Sequence, residues 1–409
     1  MKIKFEGGDL IGKTILSNIF KNLNFSIEDR DLKISNEIVL EKDIDEIREN
    51  IEKKIEENAL YVILYTSNKQ LLQKRLSKCK LKKDRILDKY DLNCVEYNKI
   101  YKDVFRKIKK DNILMIDVFN KDIFDITRII IEKYVELNLN NFNITTESFE
   151  GESKKFFVFE NLALVKLKPT LYSFTYNRYG TVEGTDDIRC LFWELFGGGI
   201  NKWFSEKWIN NDFTKYERKL LIDRKVPFLS NFLGQIKIKD TTFNIVRYFE
   251  EIPPIEVIWK KYLVGTMKHN LYNVDKYNTI YRQEPIKYEG KFPSSIVRFD
   301  WRNKLPHKDE CIPDDFAAFY IKVENAKKTC NLVSYYLEKI LNIKGYILVD
   351  LCYFMDYNGS TICSEITPDG MRIKKKNLIT SFDKDLWRQG KDKDTIINTW
   401  LDLYNDLKK

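Results

Sequence analysis

The first third of the chain alternates short apolar runs with longer segments whose apolar residues recur at helical spacing. Strand-like runs are IKFEG at 3–7, FSIED at 25–29, ALYVILYTS at 59–67 and NILMIDV at 112–118. Helical patterns are TILSNIFKNL at 14–23, DIDEIRENIEKKIEE at 43–57, NKQLLQKRLSKC at 68–79, residues 92–110 and DIFDITRIIIEKYVEL at 122–137. Strands that alternate with helices predict a parallel sheet covered by helices on both faces. The pattern therefore predicts an α/β domain over residues 1–139.

The pattern changes after the polar, turn-rich stretch LNNFNITTES, and we interpret residues 140–148 as a linker. Runs typical of antiparallel strands follow, with FFVF at 156–159, LALVKL at 162–167 and NIVRYFEE at 244–251. Helical patterns cover 314–341 and 392–409, and a β-hairpin is predicted from 345–355 and 360–366. Residues 149–409 are therefore predicted to form a second domain, of the α+β class.

Composition is that of a globular protein, because 43% of the 409 residues are hydrophobic and 32% are charged. Lys and Arg number 70 against 61 Asp and Glu, and this net charge of +9 is too mild to favour nucleic-acid binding. No apolar run reaches the roughly 18–20 residues of a membrane span, and the strand-like start KIKFEG leads us to expect no signal peptide. Seven cysteines without a C-x-x-C spacing and two histidines favour neither disulfides nor a zinc site, so we expect a reducing, cytoplasmic location.

The sequence GGDLIGKT at 7–14 fits the phosphate-loop pattern G-x-x-x-x-G-K-[ST] and lies between a predicted strand and a predicted helix. In such a loop the glycines, here Gly7 and Gly12, let backbone N–H groups point at phosphate oxygens beside the helix N-terminus. Lys13 would reach the terminal phosphates, and Thr14 would offer its hydroxyl to Mg²⁺. The motif therefore predicts that the first domain is a P-loop NTPase domain that binds ATP.

The opening FEGGDLIGKT resembles the FEG-x-D-G-x-GKTT start of the thymidylate kinase family, and the resemblance extends over residues 1–138. It implies that Lys13 is catalytic, and that Asp29 and Arg30 match the Asp-Arg pair that positions the substrate phosphate. Three basic residues lie where the family has its lid, namely Arg75, Lys82 and Arg85. The domain is shorter than usual and lacks the early Arg-Pro-Gly segment. The phosphate acceptor, a nucleoside monophosphate or a related compound, therefore stays open.

A second loop, FEGESKK at 149–155, repeats the letters FEG but lacks G-K-[ST], so it is not a second P-loop. Six segments from this point onward are FEGESKKFFVF at 149–159, PPIEVIWKKYLVGT at 253–266, LPHKDE at 305–310, GYILVDLCYF at 345–354, SEITPDGMR at 364–372 and DKDLWRQ at 383–389. In order and spacing they resemble the motifs of the SAICAR synthetase (phosphoribosylaminoimidazole-succinocarboxamide synthase) family. The resemblance covers residues 147–409, and it is carried by the order of the segments, since each alone has an ordinary structural explanation.

The resemblance implies ATP-driven amide formation, in which a carboxylate on an imidazole nucleotide is activated and the amine of aspartate displaces phosphate. It implies that Lys154 is catalytic and contacts ATP phosphate, that Gly151 and Glu256 also bind ATP, and that Glu365 binds Mg²⁺. The residues implied to hold the nucleotide substrate are Lys260, Gly265, Thr266, Asp350, Asp369, Arg372, Lys384 and Arg388. The expected partners are a nucleotide and an amino acid, without a membrane or a nucleic acid, and homo-oligomerisation stays open.

The departures from the family motifs concentrate on the ATP side. Cys352 and Phe354 stand where the family has lysine and glutamate, and Ser364 stands where it has aspartate. The first lysine of R-G-K-A-K is Glu152 here, and a family arginine is Lys260, which cannot form the same bidentate contacts. Because hard cations need oxygen ligands, a phenylalanine cannot replace a glutamate beside Mg²⁺.

Two explanations of these departures stay open. The metal site is rearranged, with Glu365 and either Asp350 or Asp356 as ligands, or the second domain no longer hydrolyses ATP. The main hypothesis is a nucleotide-metabolism enzyme that fuses a nucleotide-kinase-like domain to an amide ligase. The alternative is a nucleoside monophosphate kinase whose second domain only binds or senses a nucleotide. A non-enzymatic nucleic-acid-binding protein is the least favoured of the hypotheses.

Overall fold

The computed structural model describes residues 1–7, 12–29, 43–66, 68, 70, 94–144, 148–173, 178–271, 273–304, 307–376 and 381–409. The chain divides into two compact units, Met1–Asn143 and Ile144–Lys409. Within the described ranges, no helix combines the length and the apolarity needed to cross a bilayer.

The N-terminal unit contains a parallel sheet of four strands in the order β2-β1-β3-β4. Its strands are β1 (Lys2–Gly7), β2 (Ile27–Asp29), β3 (Ala59–Tyr65) and β4 (Ile113–Asp117). Its helices are α1 (Lys13–Asn22), α2 (Ile44–Lys54), α3 (Cys94–Arg106) and α4 (Ile123–Leu137), and a 3-10 turn at Leu139–Phe142 follows. The prediction of a parallel sheet alternating with helices is confirmed for this unit.

Helices cover both faces of this sheet, as the continuous apolar run of β3 requires. On one face, Tyr61 and Ile63 of β3 pack in a cluster with Ile47 and Ile51 of α2 and with residues of α3. On the other face, the ring of Phe5 in β1 lies 5.6 Å from the ring of Phe20 in α1. Successive side chains of a strand point to opposite faces, so the two helical layers bury both sets of apolar residues.

The C-terminal unit contains two five-stranded sheets, in the orders β10-β11-β7-β6-β5 and β14-β13-β12-β15-β16, and a separate pair β8-β9. The strands are β5 (Phe149–Glu150), β6 (Lys154–Phe159), β7 (Leu162–Leu167), β8 (Thr170–Ser173), β9 (Arg178–Thr181), β10 (Phe232–Ile238), β11 (Thr241–Arg247), β12 (Ile255–Tyr262), β13 (Lys291–Trp301), β14 (Glu310–Ile312), β15 (Tyr346–Tyr353) and β16 (Met371–Lys375). Neighbouring strands within the two larger sheets pair antiparallel, as the strand patterns predict.

The helices of the C-terminal unit lie mainly before β10 and after β14. They are α5 (Thr185–Phe192), which continues as a π-helix (Trp193–Gly198), α6 (Gly199–Asn210), α7 (Lys215–Leu220), α8 (Thr266–Asn270), α9 (Asp314–Ala317), α10 (Val323–Ile343), α11 (Asp385–Arg388) and α12 (Lys393–Lys408). A 3-10 turn occupies Val274–Lys276. The helical patterns predicted at 314–341 and 392–409 therefore correspond to α9, α10 and α12.

The sheet that contains β12 and β15 has one apolar face and one charged face. Val257 and Trp259 of β12 and Leu351 and Tyr353 of β15 belong to the same buried core as the apolar positions of α10. The alternate positions of these two strands carry Glu256, Lys260, Asp350 and Cys352. The period of two that buries the first set against α10 therefore places the second set together on the opposite face.

The segment after β15 turns back sharply and docks on the start of α10. Met355 and Ile362, on the two sides of this turn, form an isolated antiparallel β-bridge. The Lys322 N–H, just before α10, donates to the Tyr357 carbonyl at 2.9 Å. At the tip, Gly359 has a φ of +60°, and a Cβ there would lie 2.5 Å from the Ala326 backbone nitrogen. A side chain at this position would therefore push the tip away from the helix.

We expect Gly359→Ala to destabilise the protein more than Gly345→Ala does. Gly345 is the matched control, since its φ is +79° but no atom lies within 4 Å of a Cβ there. Both variants carry the left-handed backbone strain of about 1–3 kcal/mol, and only Gly359→Ala adds overpacking of about 1–3 kcal/mol. Urea unfolding of both variants measures the difference. Equal losses would show that the tip does not press on α10.

Candidate functional site

In the N-terminal unit, the predicted phosphate-binding residues lie at the carboxyl edge of the parallel sheet. Gly7 ends β1, Gly12 has a φ of +94°, and α1 begins at Lys13. The Lys13 side chain is buried and its ammonium donates to the Gly7 carbonyl, whereas Thr14 is exposed in the first helical turn. Asp29 ends the neighbouring strand β2 at the same edge, which is where open α/β sheets bind their ligands.

Part of the predicted N-terminal site lies outside the described residues. This applies to the middle of the loop at 8–11, to Arg30, and to Arg75, Lys82 and Arg85 of the predicted lid. The described residues place a lysine and an exposed hydroxyl at the start of a helix that follows a strand. A P-loop NTPase therefore remains a prediction for this unit.

In the C-terminal unit, Glu365 is the centre of a buried ion-pair cluster. Arg189 of α5 donates two hydrogen bonds to the Glu365 carboxylate, from Nε to Oε2 at 2.9 Å and from Nη2 to Oε1 at 2.5 Å. The Lys154 ammonium lies 3.2 Å from Oε1, and the Thr367 hydroxyl donates to Oε2 at 3.1 Å. Burial alone would raise the pKa of Glu365, but Arg189 and Lys154 hold that pKa well below its ordinary value.

The loop that carries Lys154 is held by its own backbone and by Lys168. The Gly151 N–H donates to the Lys154 carbonyl at 2.8 Å, and the Lys168 ammonium donates to the Gly151 carbonyl at 2.8 Å. The third nitrogen of Arg189 donates to the Lys168 carbonyl at 2.9 Å. Both the loop and the arginine are therefore tied to the end of β7.

A second cluster joins β12, β15, β16 and α11. Asp350 accepts from Lys260 at 2.7 Å and from Arg372 at 2.6 Å, and Arg372 also donates to Asp385 at 3.1 Å. Arg388 donates to the other oxygen of Asp385 at 2.5 Å. Burial opposes ionisation of Asp350, yet Arg372 and Lys260 keep its pKa below the usual value. Five of the predicted or neighbouring charged residues therefore form one connected network.

Gly265 is positioned by its close approach to this network. Its φ is +66°, and a Cβ there would lie 3.3 Å from both terminal nitrogens of Arg372. The predicted neighbour Thr266 starts α8 directly after it. Glycine at this position therefore leaves room for the guanidinium beside the turn.

Asp383 is a buried carboxyl beneath the same network. Its two oxygens accept from the Ile373 N–H at 2.6 Å and from the Asp385 N–H at 2.7 Å. Burial, followed by the charge of Asp385, raises the pKa of Asp383 to about 7. Asp383 therefore takes up a proton at a higher pH than an ordinary aspartate does.

The segment 365–372 connects the two clusters. Glu365 lies at its start and Arg372 at its end, and Asp369 between them pairs with Lys384 at 3.1 Å. Burial lowers the pKa of Arg189, but Glu365 and then Asp369 outweigh it and raise that pKa above its ordinary value, so Asp369 lies within electrostatic reach of Arg189. Glu365, Asp369 and Arg372 are thus carried by one short segment that turns at 367–370 and then enters β16.

Glu256 belongs to a third cluster, centred on Arg302. Arg302 lies 3.2 Å from Glu256, 2.9 Å from Asp309 and 3.4 Å from Glu152 in the loop before Lys154. Burial, the largest influence, raises the pKa of Glu256 although Arg302 lowers it, and the Cys352 thiol hydrogen-bonds to the same carboxylate. The arginine therefore ties the loop of Lys154 to the charged face of β12.

The described residues do not fit a magnesium ion held by protein carboxylates. Phe354 has no ligand atom in its side chain, and the Ser364 hydroxyl accepts the Phe354 N–H at 3.0 Å. Asp356 accepts the N–H groups of Ser360 and Thr361 in the turn. Across the described part of the chain, no three His, Cys, Asp or Glu side chains group together as metal ligands. The predicted roles of Asp350, Asp356 and Glu365 as ligands thus find no support.

Sequence reasoning missed Arg189 and Arg302, although each is the cation at the centre of a cluster. Arg189 lies in a helix with two acidic residues in its first turn, where an arginine is usually solvated, yet its side chain is fully buried. Arg302 follows β13 at a position that none of the six family-like segments includes. An excess of acidic side chains within those segments was the only signal that further cations were needed.

We expect Arg189→Met to destabilise the folded protein by about 3–5 kcal/mol, because it leaves the buried Glu365 without its bidentate partner. The double variant Arg189→Met with Glu365→Gln should recover part of that loss, since both charges are then removed. Chemical unfolding of the single and double variants gives the coupling free energy. Additive losses would contradict a direct interaction.

The same pair predicts a direction for the pH dependence. The folded pKa of Glu365 is depressed, so its contribution to stability is present above the unfolded value and is lost as the pH falls below it. The stability gap between wild type and Glu365→Gln should therefore shrink as the pH falls below about 4. A gap that is constant through this range would be inconsistent with an ionised Glu365.

Comparison with known proteins assigns a family to part of the C-terminal unit. Residues 198–401 match the model of the SAICAR synthetase family. The chain is 24% identical over 314 residues to "Bifunctional cordycepin biosynthesis cluster protein 3" of Cordyceps militaris, a match that covers 64% of this chain and 32% of that protein. It is 27% identical over 179 residues to the phosphoribosylaminoimidazole-succinocarboxamide synthase of Methanobrevibacter smithii, covering 42% of this chain and 68% of the relative.

The chain therefore spans about a third of the length of the Cordyceps protein and about two thirds of that of the Methanobrevibacter protein. A solved structure described as "SAICAR synthetase (Type-2) in complex with ADP" is 21% identical, with a TM-score of 0.45 over 63% of this chain and 96% of that one. The family predicted for the C-terminal region is confirmed by the model match, which begins after Lys154 and Arg189. Residues 198–401 of this chain belong to the SAICAR synthetase family.

Proposed function

We propose that the C-terminal unit is an ATP-dependent carbon–nitrogen ligase that joins an amino acid, most simply aspartate, to a carboxylated imidazole or purine nucleotide. The observation that carries this proposal is the connected arrangement of Lys154, Glu365, Asp369 and Arg372 along the segment 365–372 and the loop beside it. The family match over residues 198–401 supports the same reaction class.

The reaction proceeds in two balanced steps. A carboxylate oxygen of the nucleotide attacks the γ-phosphorus of ATP, forming an acyl phosphate and releasing ADP. The amine of the amino acid then attacks the acyl carbon, loses a proton and displaces phosphate to leave the amide. Such steps need preorganised positive charge around the transferred phosphoryl group.

Each cationic cluster has a role in this scheme. Lys154 contacts the phosphates of ATP, with Gly151 shaping its loop and Glu256 on the same side. Arg372, Arg388, Lys260 and Lys384 bind the phosphate and the polar groups of the nucleotide substrate, while Asp350 and Asp369 orient those cations. At the Asp350 and Asp385 network, three cations face two ionised carboxylates when Asp383 is protonated. This excess of positive charge suits a phosphate monoester.

We propose that the N-terminal unit is a nucleotide-kinase-like P-loop domain. Gly7 and Gly12 would shape the loop, Lys13 would contact the β- and γ-phosphates, and Thr14 would offer its exposed hydroxyl to Mg²⁺. Asp29, with Arg30, would position the acceptor nucleotide. The position of Lys13 at the start of the helix after β1 supports this assignment.

A second candidate function is a kinase whose C-terminal unit binds or senses a nucleotide without consuming ATP. The engagement of Glu365 by two cations and the presence of Phe354 and Ser364 favour it. The two candidates differ in one measurable way, since only the ligase forms an amide product.

The test is to supply the purified chain with ATP, Mg²⁺, aspartate and carboxylated aminoimidazole ribotide. We expect the succinocarboxamide product, with ADP and phosphate formed in equal amounts, detected by mass spectrometry. Lys154→Met should lower the rate of product formation by about 10²–10³, the usual cost of removing one electrostatic donor. ATP consumption without an amide from this or a related carboxylated nucleotide would favour the sensing function.

Lys155→Met is the matched control for Lys154→Met. The neighbouring lysine points to the other side of β6 and pairs with Glu150 at 3.3 Å, away from Glu365. Its loss should change the rate of product formation by less than about threefold, as expected for an exposed ion pair. Equal effects of the two variants would contradict the assigned role of Lys154.

We further expect Arg388→Gln to raise the KM for the nucleotide about 10- to 100-fold, the range of a charged hydrogen bond. Lys393→Gln removes an exposed cation from the nearby start of α12 and serves as the control. Steady-state kinetics with varied nucleotide separates this effect from a change in kcat. An unchanged KM would remove Arg388 from the substrate site.

A further inference from the structure

The three carboxylates considered as replacements for the family's metal ligands, Glu365, Asp350 and Asp356, each have a partner among the described residues. Glu365 is held by Arg189 and Lys154, and Asp350 is held by Lys260 and Arg372. The Asp356 carboxylate closes its own turn, and the Ser364 hydroxyl is used by a backbone N–H. An incoming divalent cation would have to displace one of these partners.

Displacement of a cation from Glu365 is unfavourable because the partner is buried. Arg189 is fully buried, and its three nitrogens donate to the Glu365 carboxylate and to the Lys168 carbonyl. If a cation took the carboxylate, a guanidinium would be left buried without its counter-charge, which is strongly destabilising. Arg189 therefore already engages both oxygens of the carboxylate that would have to bind a metal.

The cluster of Glu365, Arg189 and Lys154 has more positive than negative charge, and Lys154 is its solvent-accessible cation. Two cations, Arg189 and Lys154, contact the one carboxylate of Glu365, and Asp369 adds a weaker attraction to Arg189 from farther away. Arg189 is inaccessible, whereas the Lys154 side chain is 18% exposed and lies beside the turn at Gly151. Lys154 is thus the group that an anionic ligand can reach, and Arg189 neutralises Glu365 so that the charge of Lys154 is not cancelled.

From this arrangement we propose that the C-terminal unit binds the phosphoryl groups of a nucleoside diphosphate or triphosphate directly through Lys154, without a divalent cation held by protein carboxylates. The inference rests on the proposed function, because it specifies how that site receives its nucleotide. It assigns Arg189 as a positioning residue, which acts through Glu365 on Lys154. Carboxylates are then not required at positions 354 and 364, where this chain has Phe354 and Ser364.

The experiment is calorimetric titration of the full chain with ADP, in EDTA and again in excess Mg²⁺. The chain carries Lys13→Ala, so that ADP bound by the N-terminal unit does not contribute. We expect a Kd that is equal in the two buffers, within about threefold, or weaker with Mg²⁺. Lys154→Met should weaken binding about 10- to 100-fold in both buffers, the range of a charge-assisted contact, and Lys155→Met should not.

A variant that restores acidic ligands provides a second, independent measurement. Phe354→Glu combined with Ser364→Asp returns two carboxylates to the positions where the family has them, and should make ADP bind at least about tenfold more tightly with Mg²⁺ than in EDTA. Circular dichroism confirms that the variant is folded before titration. If it does not fold, the comparison of the two buffers in the parent chain still decides the proposal.

The outcomes separate this inference from the function on which it rests. Binding that requires Mg²⁺ in the parent chain, by more than about tenfold, would overturn metal-free binding and leave the ligase proposal intact. No binding of ADP in either buffer would overturn both. Equal binding in the two buffers, lost in Lys154→Met, supports the inference.

Discussion

A buried carboxylate needs a cation or hydrogen-bond donors to stay ionised, and Glu365 is such a carboxylate. Several contacts in the C-terminal unit serve to hold its partner in place. Its partner Arg189 comes from a helix 176 residues earlier in the chain, and the contact is bidentate. Breaking such a pair costs far more than its formation contributes, so the fold is organised to keep both ends in place. Arg189 is fixed in turn by the Lys168 carbonyl, and Lys168 fixes the loop of Lys154. One buried charge thereby positions the side chain that we assign to the nucleotide.

The second organising feature is the alternation of the strands β12 and β15. One set of side chains packs against α10, and the other forms a charged face whose cations are shared among several carboxylates. Lys260, Arg372 and Arg388 are all engaged, which preorganises them without cancelling their charge. Preorganised cations lose little conformational freedom when an anion arrives, and this is the property that a phosphate-binding site requires. Gly265 contributes by leaving room for the guanidinium of Arg372.

The functions that we propose for the two units use different physical solutions to phosphate recognition. In the N-terminal unit, Lys13 lies at the start of a helix that follows a parallel strand, where backbone N–H groups and the helix dipole act together. In the C-terminal unit, the corresponding charge comes from side chains on antiparallel strands and on the loop at 151–154. The region that matches the family, residues 198–401, includes the altered positions Phe354 and Ser364. A nucleotide site without carboxylate ligands is consistent with both observations.

The local pattern was sufficient to predict the parallel sheet of the N-terminal unit, the antiparallel strands of the C-terminal unit and the helices near 314–341 and 392–409. The order of the family-like segments pointed to Glu365, Asp369 and Arg372 as close neighbours, because they lie within eight residues of one another, whereas the contact of Lys154 with Glu365 joins β6 to a segment more than 200 residues later. The local pattern and the order of the segments did not predict that Arg189 pairs with Glu365. They also did not predict that Arg302 pairs with Glu152, Glu256 and Asp309. Those ion pairs join residues that are distant in sequence, so they depend on strand register and helix packing. Whether Glu365 faces a metal or an arginine was therefore decided by the tertiary structure, since a carboxylate looks the same in the sequence in both cases.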